Sequence, residues 1–392
     1  MNLLEQNTEY LMNTYSPLPI NFTYGEGSNL FDETGKVFID FTSGIGVNSL
    51  GYNNGPWKDS IISQLNKFQH LSNIFTNNIT VSLAQKLIQL SNMNKVFFTN
   101  SGAESNECAI KLARKYSFDK YGENRGTIIS LKQSFHGRTL ATLTATGQDK
   151  FHNYFFPFPT GFKYVSANSI DEVKESLTSD VCAIIMEAIQ GEGGVNPLNK
   201  DFVLETSKLA AEKDLLIIFD EVQCGIARTG NLFGYNLFNA TPDIVTCAKG
   251  LGGGLPIGAV LCNEKLSKVF SLGDHGSTFG GNPIACAGAL SVLNQICNED
   301  SYSSISKKGD FIKEAILNLN LPIIKDIRGA GLMIGIEINC NSSTIQKLCS
   351  EKGLLVLTAG KNVIRLLPPL NISEKDLKTG LDILVSALKE AI

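Results

Sequence analysis

The middle of the chain repeats one pattern. A short apolar, β-branched run is followed by a loop of glycine or polar residues, and then by a segment with apolar positions at helical spacing. The runs are Lys95–Thr99, Thr127–Leu131, Val181–Met186, Leu215–Phe219, Asp243–Cys247 and Ile257–Cys262. Most lack polar alternation, as expected of strands buried on both faces. Strands alternating with helices predict an α/β fold with a mainly parallel, doubly wound sheet. The ends read differently. Residues 20–45 resemble short antiparallel pieces with a turn at Asp32–Gly35. After Asn282 a long helical stretch leads to short strands at Ile323–Arg328, Gly335–Ile338, Leu354–Leu357 and Val363–Leu366. A final amphipathic helix begins near Ser373, a suitable N-cap. The expected organisation is a large domain over 49–284 and a smaller α+β domain built from 1–48 and 285–392.

Composition narrows the class. The 392 residues are 43% hydrophobic and 18% charged, with a formal net charge of -4. These are ordinary values for a globular protein, and they make nucleic acid or an anionic membrane an unsuitable partner. No apolar run approaches the ~18–20 residues that span a bilayer, and the start, MNLLEQNTEY, does not read as a secretory signal. The nine cysteines are scattered, with none at CxxC spacing. Reduced, mostly buried thiols and a cytoplasmic location are expected. Four histidines without HExxH or a paired Cys/His cluster argue against a dedicated metal site.

In an open α/β sheet, ligands bind beyond the carboxyl ends of the strands. There the successive runs deliver Asn100-Ser101-Gly102-Ala103, Ser134-Phe135-His136-Gly137-Arg138, Glu187 with Gly191-Glu192-Gly193-Gly194, Asp220-Glu221-Val222-Gln223, and Ala248-Lys249-Gly250. Taken singly these are weak signals. A strand-ending Asp is more often a helix cap, a lysine among glycines is more often solvated, and Phe135 alone is core. Their joint placement on one edge makes an active site. The pieces suit pyridoxal 5'-phosphate, which needs a lysine for its aldehyde, an acid at its pyridine nitrogen and a helix N-terminus for its phosphate. Lys249 fits the first role and Asp220 the second. Ser101, Gly102 and Ala103, opening a helix expected over Glu104–Tyr116, fit the third. Phe135 can stack on the ring. Neither GxxxxGK[ST] nor GxGxxG is present.

At these residues the chain resembles the class III (fold type I) pyridoxal-phosphate aminotransferases, and within them the acetylornithine and ornithine enzymes. The resemblance runs in order through Tyr15-Ser16-Pro17, Asn100 to Glu107, Phe135 to Thr139, Gln190 to Gly194, Phe219 to Gly225, Arg228-Thr229-Gly230, Ala248-Lys249-Gly250, His275 to Pro283 and Ile364-Arg365-Leu366. It implies that Lys249 is the Schiff-base lysine and Asp220 the partner of the pyridine nitrogen. Gln223 would contact the cofactor's phenolic oxygen, with His136 and Val222 also beside the cofactor. Thr278 would reach the phosphate of the other subunit's cofactor, making a homodimer with shared sites. Arg138 would clamp a carboxylate. Arg365 would hold the α-carboxylate of glutamate, with Glu192 able to pair with it, and Ser277 and Tyr15 would face the substrate.

Two departures stand out. The family's Glu-Pro is Glu187-Ala188, and its Gly-His-x-His-Pro is Gly51-Tyr52-Asn53-Asn54-Gly55-Pro56. Ile45 stands where ornithine enzymes carry tyrosine, whereas Tyr15-Ser16-Pro17-Leu18-Pro19 is close to the ornithine-enzyme version. On Ile45 the expected reaction moves the δ-amine of N2-acetylornithine to 2-oxoglutarate, giving N-acetylglutamate semialdehyde and glutamate. Ornithine, succinylornithine or 4-aminobutyrate are the alternative donors. A pyridoxal-phosphate aminomutase or racemase would share Lys249 and Asp220 without needing the Arg138/Arg365 pair. A nucleotide-binding enzyme without this cofactor is permitted by the fold alone.

Overall fold

The structure is a computed structural model that describes residues 3–392. Its centre is a seven-stranded sheet in the order Lys95–Thr99, Gly258–Cys262, Ile244–Cys247, Leu216–Asp220, Val181–Met186, Thr127–Leu131, Phe162–Val165. Gly258–Cys262 runs antiparallel to both its neighbours, and the other strands run one way. The apolar runs became strands because helices cover both faces: Val181–Met186 and Leu216–Asp220 are buried along their whole length. The edge strand Phe162–Val165 was not expected. Lys163 interrupts its apolar run, and only its pairing with Ile128–Leu131 fixes it as a strand. Asp220 belongs to its strand rather than following it, and the helix expected over Glu104–Tyr116 extends over Gly102–Tyr121.

The two ends of the chain share a sheet. Phe22–Glu26, Asn29–Asp32 and Val37–Asp40 pair antiparallel, and Leu354–Leu355 then adds parallel to Val37–Asp40. The turn forms because Asp32 Oδ1 accepts the backbone N–H groups of Thr34 and Lys36, both at 2.9 Å. The single strand expected over Leu354–Leu357 divides in two. Leu354–Leu355 joins the N-terminal strands, and Leu357–Thr358 pairs with Ile364 and Arg365. This short stretch therefore couples the N-terminal sheet to the strand that carries Arg365. Ser373 caps the last helix, Glu374–Glu390, by accepting the Asp376 N–H.

The departure at Gly51–Pro56 has a structural role. Asn54 caps the helix Gly55–Leu65, with Pro56 in its first turn. The Tyr52 hydroxyl donates to the buried carboxylate of Asp40 at 2.8 Å, and Asp40 also accepts the N–H groups of Thr42 and Ser43. Together they hold the turn that carries Ile45. Among the described residues all the cysteines are free thiols, and only Cys340 is not buried.

Candidate active site

A cavity of about 580 Å³ opens at the carboxyl ends of the central strands. Tyr15, Ser101, Gly102, Ala103, Phe135, His136, Arg138, Glu192, Asp220, Val222, Gln223 and Lys249 all line it. The helix Gly102–Tyr121 begins at its wall, capped by the Ser101 hydroxyl, which accepts the Glu104 N–H. Gly102 is required there, since a Cβ would lie 2.6 Å from Val222 Cγ1. Its backbone can thus approach a phosphate closely at the positive end of the helix.

Asp220 is fixed by three donors. Asn106 and His136 Nδ1 each lie 2.7 Å from Oδ2, and the Val222 N–H donates to Oδ1 at 3.1 Å. Asn106 was missed from the sequence. Its signal is a buried polar side chain among Cys108, Ala109, Leu112 and Ala113 on the sheet-facing side of the helix. Its amide oxygen accepts from Thr246 and its second N–H donates to His136 O, so three bonds of one side chain serve this corner.

Glu187 is also buried and was read only as a strand-end acid. Its two oxygens accept the N–H groups of Phe135 at 2.9 Å and Gly191 at 3.2 Å. One carboxyl group therefore ties the loop of the aromatic to the loop of Glu192. Burial pushes its pKa up to about 7, against the opposing pull of His136.

Lys249 sits at φ 42°, in the left-handed region that a side chain rarely adopts. Burial holds its ammonium below the usual lysine range; Glu192 opposes this and Arg365 adds to it. Arg365 does not itself line the cavity. It is buried behind the wall, its Nη1 donating to Glu192 Oε1 at 2.7 Å and Gln223 Oε1 at 3.0 Å. Arg365 Nε has no partner. The Gln223 amide thus faces Arg365 and Glu192 in this structure.

The remaining expected residues lie elsewhere. Ile45 is 41% exposed on the turn beside the cavity and does not line it, whereas Val47 two residues on does. Thr278 and Ser277 face a separate surface groove with His70, Asn73 and His275. Ser277 is joined to the main cavity through Asn100, which donates to its Oγ at 3.2 Å. No group of His, Cys, Asp and Glu able to hold a metal occurs among the described residues.

A lysine with a lowered proton affinity, an anchored carboxylate and a capped helix N-terminus thus meet in one cavity. The chain belongs to the class-III aminotransferases, whose family model matches residues 10–388. An acetylornithine aminotransferase of Haemophilus ducreyi is 46% identical over 98% of both chains. The crystal structure of acetylornithine aminotransferase from Elizabethkingia anophelis is 33% identical with a TM-score of 0.88, covering 99% of this chain and 98% of that one. The ornithine aminotransferase of Toxoplasma gondii superposes with a TM-score of 0.95 at 27% identity, over 99% of this chain and 94% of that one.

Proposed function

We propose that this aminotransferase moves the δ-amine of N2-acetylornithine to 2-oxoglutarate, using pyridoxal phosphate bonded to Lys249. The observation that carries the reading is the Arg365–Glu192 pair at 2.7 Å, whose Glu192 lines the same cavity as Lys249 and Arg138 while Arg365 stands behind it. The cofactor fits the residues present. The glycine cradle at Gly102 leaves room for its phosphate, Asp220 Oδ1 carries a single backbone donor, and Phe135 offers a ring face. When bound, it supplies the carbonyl that exchanges with amines and a ring that spreads the charge of a deprotonated carbon.

The chain's own residues do the rest. With the cofactor bound, Lys249 Nζ would be the group that takes a proton from the amine-bearing carbon and returns one. Its lowered proton affinity suits that exchange. Asp220, held by Asn106, His136 and Val222, would secure the ring nitrogen. In the first half-reaction the reacting carbon bears no carboxylate, and Glu192 neutralises Arg365. In the second, Glu192 releases Arg365, whose planar fork takes the α-carboxylate. Arg138 holds the distal carboxylate in both.

The donor assignment is supported by the names of the relatives and by apolar Ile45 on the turn beside the cavity. Ornithine as donor is the second reading, favoured by Tyr15 in the cavity wall. We also propose a homodimer in which Thr278 completes the partner's site. Its position in an outer groove, beside exposed Phe279 and Ile74, supports this. The division into 1–48, 49–284 and 285–392 is likewise a proposal, supported at the first boundary by the sheet that joins both ends of the chain. The second boundary falls inside the helix Pro283–Ile296. A cytoplasmic location agrees with the free thiols, and no helix among the described residues is long and apolar enough to cross a membrane. The test is the visible band of the holoenzyme. It should bleach with the donor and return with 2-oxoglutarate, and kcat/KM should rank N2-acetylornithine above ornithine, succinylornithine and 4-aminobutyrate. A band that never bleaches overturns the chemistry. A preference for ornithine overturns only the donor.

A further inference from the structure

Arg138 makes no hydrogen bond or ion pair with any described residue, and it is exposed at the cavity. What meets it is aromatic. Its guanidinium carbon lies 4.4 Å from the centre of the Phe151 ring and 5.6 Å from that of Phe135. The two rings meet edge to face at 5.9 Å. A guanidinium packed by its flat face keeps all its N–H groups at the edge free for a carboxylate.

Phe151 is itself fixed. It closes the short turn Asp149–Phe151, and its N–H donates to Gln148 O at 3.0 Å. The buried Gln148 amide donates to Ser134 O at 2.9 Å, and the Gly147 N–H donates to Ser134 Oγ at 3.0 Å. The segment that carries Phe151 is therefore docked on the loop that carries Phe135 and Arg138. No ion pair with a described residue holds the guanidinium, and a second cation stands near it. The Lys150 ammonium lies 4.8 Å from the same Phe151 ring. The ring face is what favours a cation there.

We infer that Phe151 is a positioning residue for Arg138, and so sets how tightly the enzyme grips the distal carboxylate of both substrates. The inference rests on the reading of Arg138 as the carboxylate clamp. Phe151 does not itself line the cavity, although its ring packs on Phe135; it acts through the orientation of one guanidinium.

The probe is glutarate, a dicarboxylate with no reacting group, titrated into the holoenzyme by calorimetry. Phe151→Leu keeps an apolar side chain and removes the ring. It should weaken glutarate binding by about threefold to thirtyfold, the range of a cation–π contact from exposed to desolvated settings. The KM for N2-acetylornithine and 2-oxoglutarate should rise alike with kcat little changed, and Phe151→Tyr should restore both. In an Arg138→Gln background Phe151→Leu should have no further effect, because the two residues act as one unit. Additive losses overturn the inference, as does loss of cofactor by Phe151→Leu, which would mean that Phe151 acts through Phe135. If Arg138→Gln alone leaves glutarate binding unchanged, the clamp reading fails instead, and the inference falls with it for a distinguishable reason.

Discussion

Replacing Glu192 by Gln should uncouple the two half-reactions. Glu192 Oε1 is 2.7 Å from Arg365 Nη1, and the arginine side chain is 2% exposed against 30% for the glutamate. Removing one partner of a buried pair commonly costs about 3–5 kcal/mol, because the other charge is stranded. The effect should be smaller here, since Gln223 Oε1 stays 3.0 Å from Arg365 and Glu192 is partly in solvent. In the native enzyme the α-carboxylate of glutamate must displace Glu192 before it reaches Arg365. In Glu192→Gln only a neutral amide has to be displaced, so the glutamate half-reaction should gain about tenfold in kcat/KM. The δ-amine half-reaction should lose about tenfold, because its reacting carbon brings no charge to offset Arg365. The ratio then shifts about a hundredfold, about 2.7 kcal/mol. Single-turnover absorbance of the holoenzyme with each donor measures both. A second readout is the proton affinity of Lys249, which Glu192 raises. Without that carboxylate, the pH limb of the Lys249 amine set free by the donor should move to lower pH. Equal changes in both half-reactions, with an unmoved pH limb, would refute the switch.

Lys249→Ala should hold the cofactor only non-covalently, releasing it on dialysis, and should lose at least about a thousandfold in turnover, since imine exchange and proton transfer both need the amine. Mixing Lys249→Ala with Thr278→Ala subunits should recover about a quarter of native activity if Thr278 serves the partner's site, because half the dimers then hold one intact site; no recovery after confirmed subunit exchange would place Thr278 in its own subunit's site. Burial lifts the Glu221 pKa to about 8, against two backbone N–H donors at Gly234 and Tyr235. The folded state therefore keeps a proton that the unfolded chain loses near pH 4.5, so stability should fall as pH rises between those values, by up to about 1.4 kcal/mol per unit from this group. Glu221→Gln should flatten that slope in urea titrations at pH 5.5 and 8.5, and an unchanged slope would exclude Glu221 as its source. Ile45→Tyr should narrow the preference for N2-acetylornithine over ornithine, expected at about tenfold or more in kcat/KM because an unpaired polar group is worth about 1–3 kcal/mol; an unchanged ratio would remove Ile45 from donor selection.

Legibility followed the physics of each feature. Lys95–Thr99, Thr127–Leu131 and Val181–Met186 could be read to the residue, because each is a short β-branched or aromatic run bounded by polar loops, and the last two are buried along their whole length. Once those strands were placed, the residues at their carboxyl ends had to meet, and Ser101, Phe135, Asp220 and Lys249 do line one cavity. The edge strand Phe162–Val165 was illegible, because its alternation is broken and pairing alone defines it. The grip of Glu187 on two backbone N–H groups was hidden for a related reason: main-chain donors leave no trace in side-chain order. Asn106 needed the helix phase relative to Asp220, and Phe151 needed the docking of Gln148 on Ser134. Arg365 and Thr278 came from resemblance alone, since neither follows a strand of the central sheet.

Part of the backbone strain in this chain lies in the loops that form the site. Lys249 is at φ 42°, Ile45 at φ 66°, and Ile226 and Ala227 at φ 56° and 68°, shortly after Gln223. Gln133, at φ 67°, comes just before Phe135, and Val195, at φ 53°, just after the Glu192 loop. Isoleucine and valine are the residues least suited to that region, and each such position costs about 1–3 kcal/mol. Sequence alone would place glycine at these points. They persist because the strands beneath are buried and do not yield: Ile184, Ile218 and Phe219 have no exposed surface. Burying side chains of that size is worth about 1.5–3 kcal/mol apiece, enough to offset a strained residue for each anchored strand. The strain also has a direction. An extended residue at 249 or 133 would send Lys249 or Phe135 along its strand and away from the cavity, whereas a left-handed one turns the chain sharply at the sheet edge. The rigid sheet and the strained loops are thus two halves of one device: the first supplies the energy, and the second uses it to aim a lysine, an aromatic ring and a carboxylate at the same small volume.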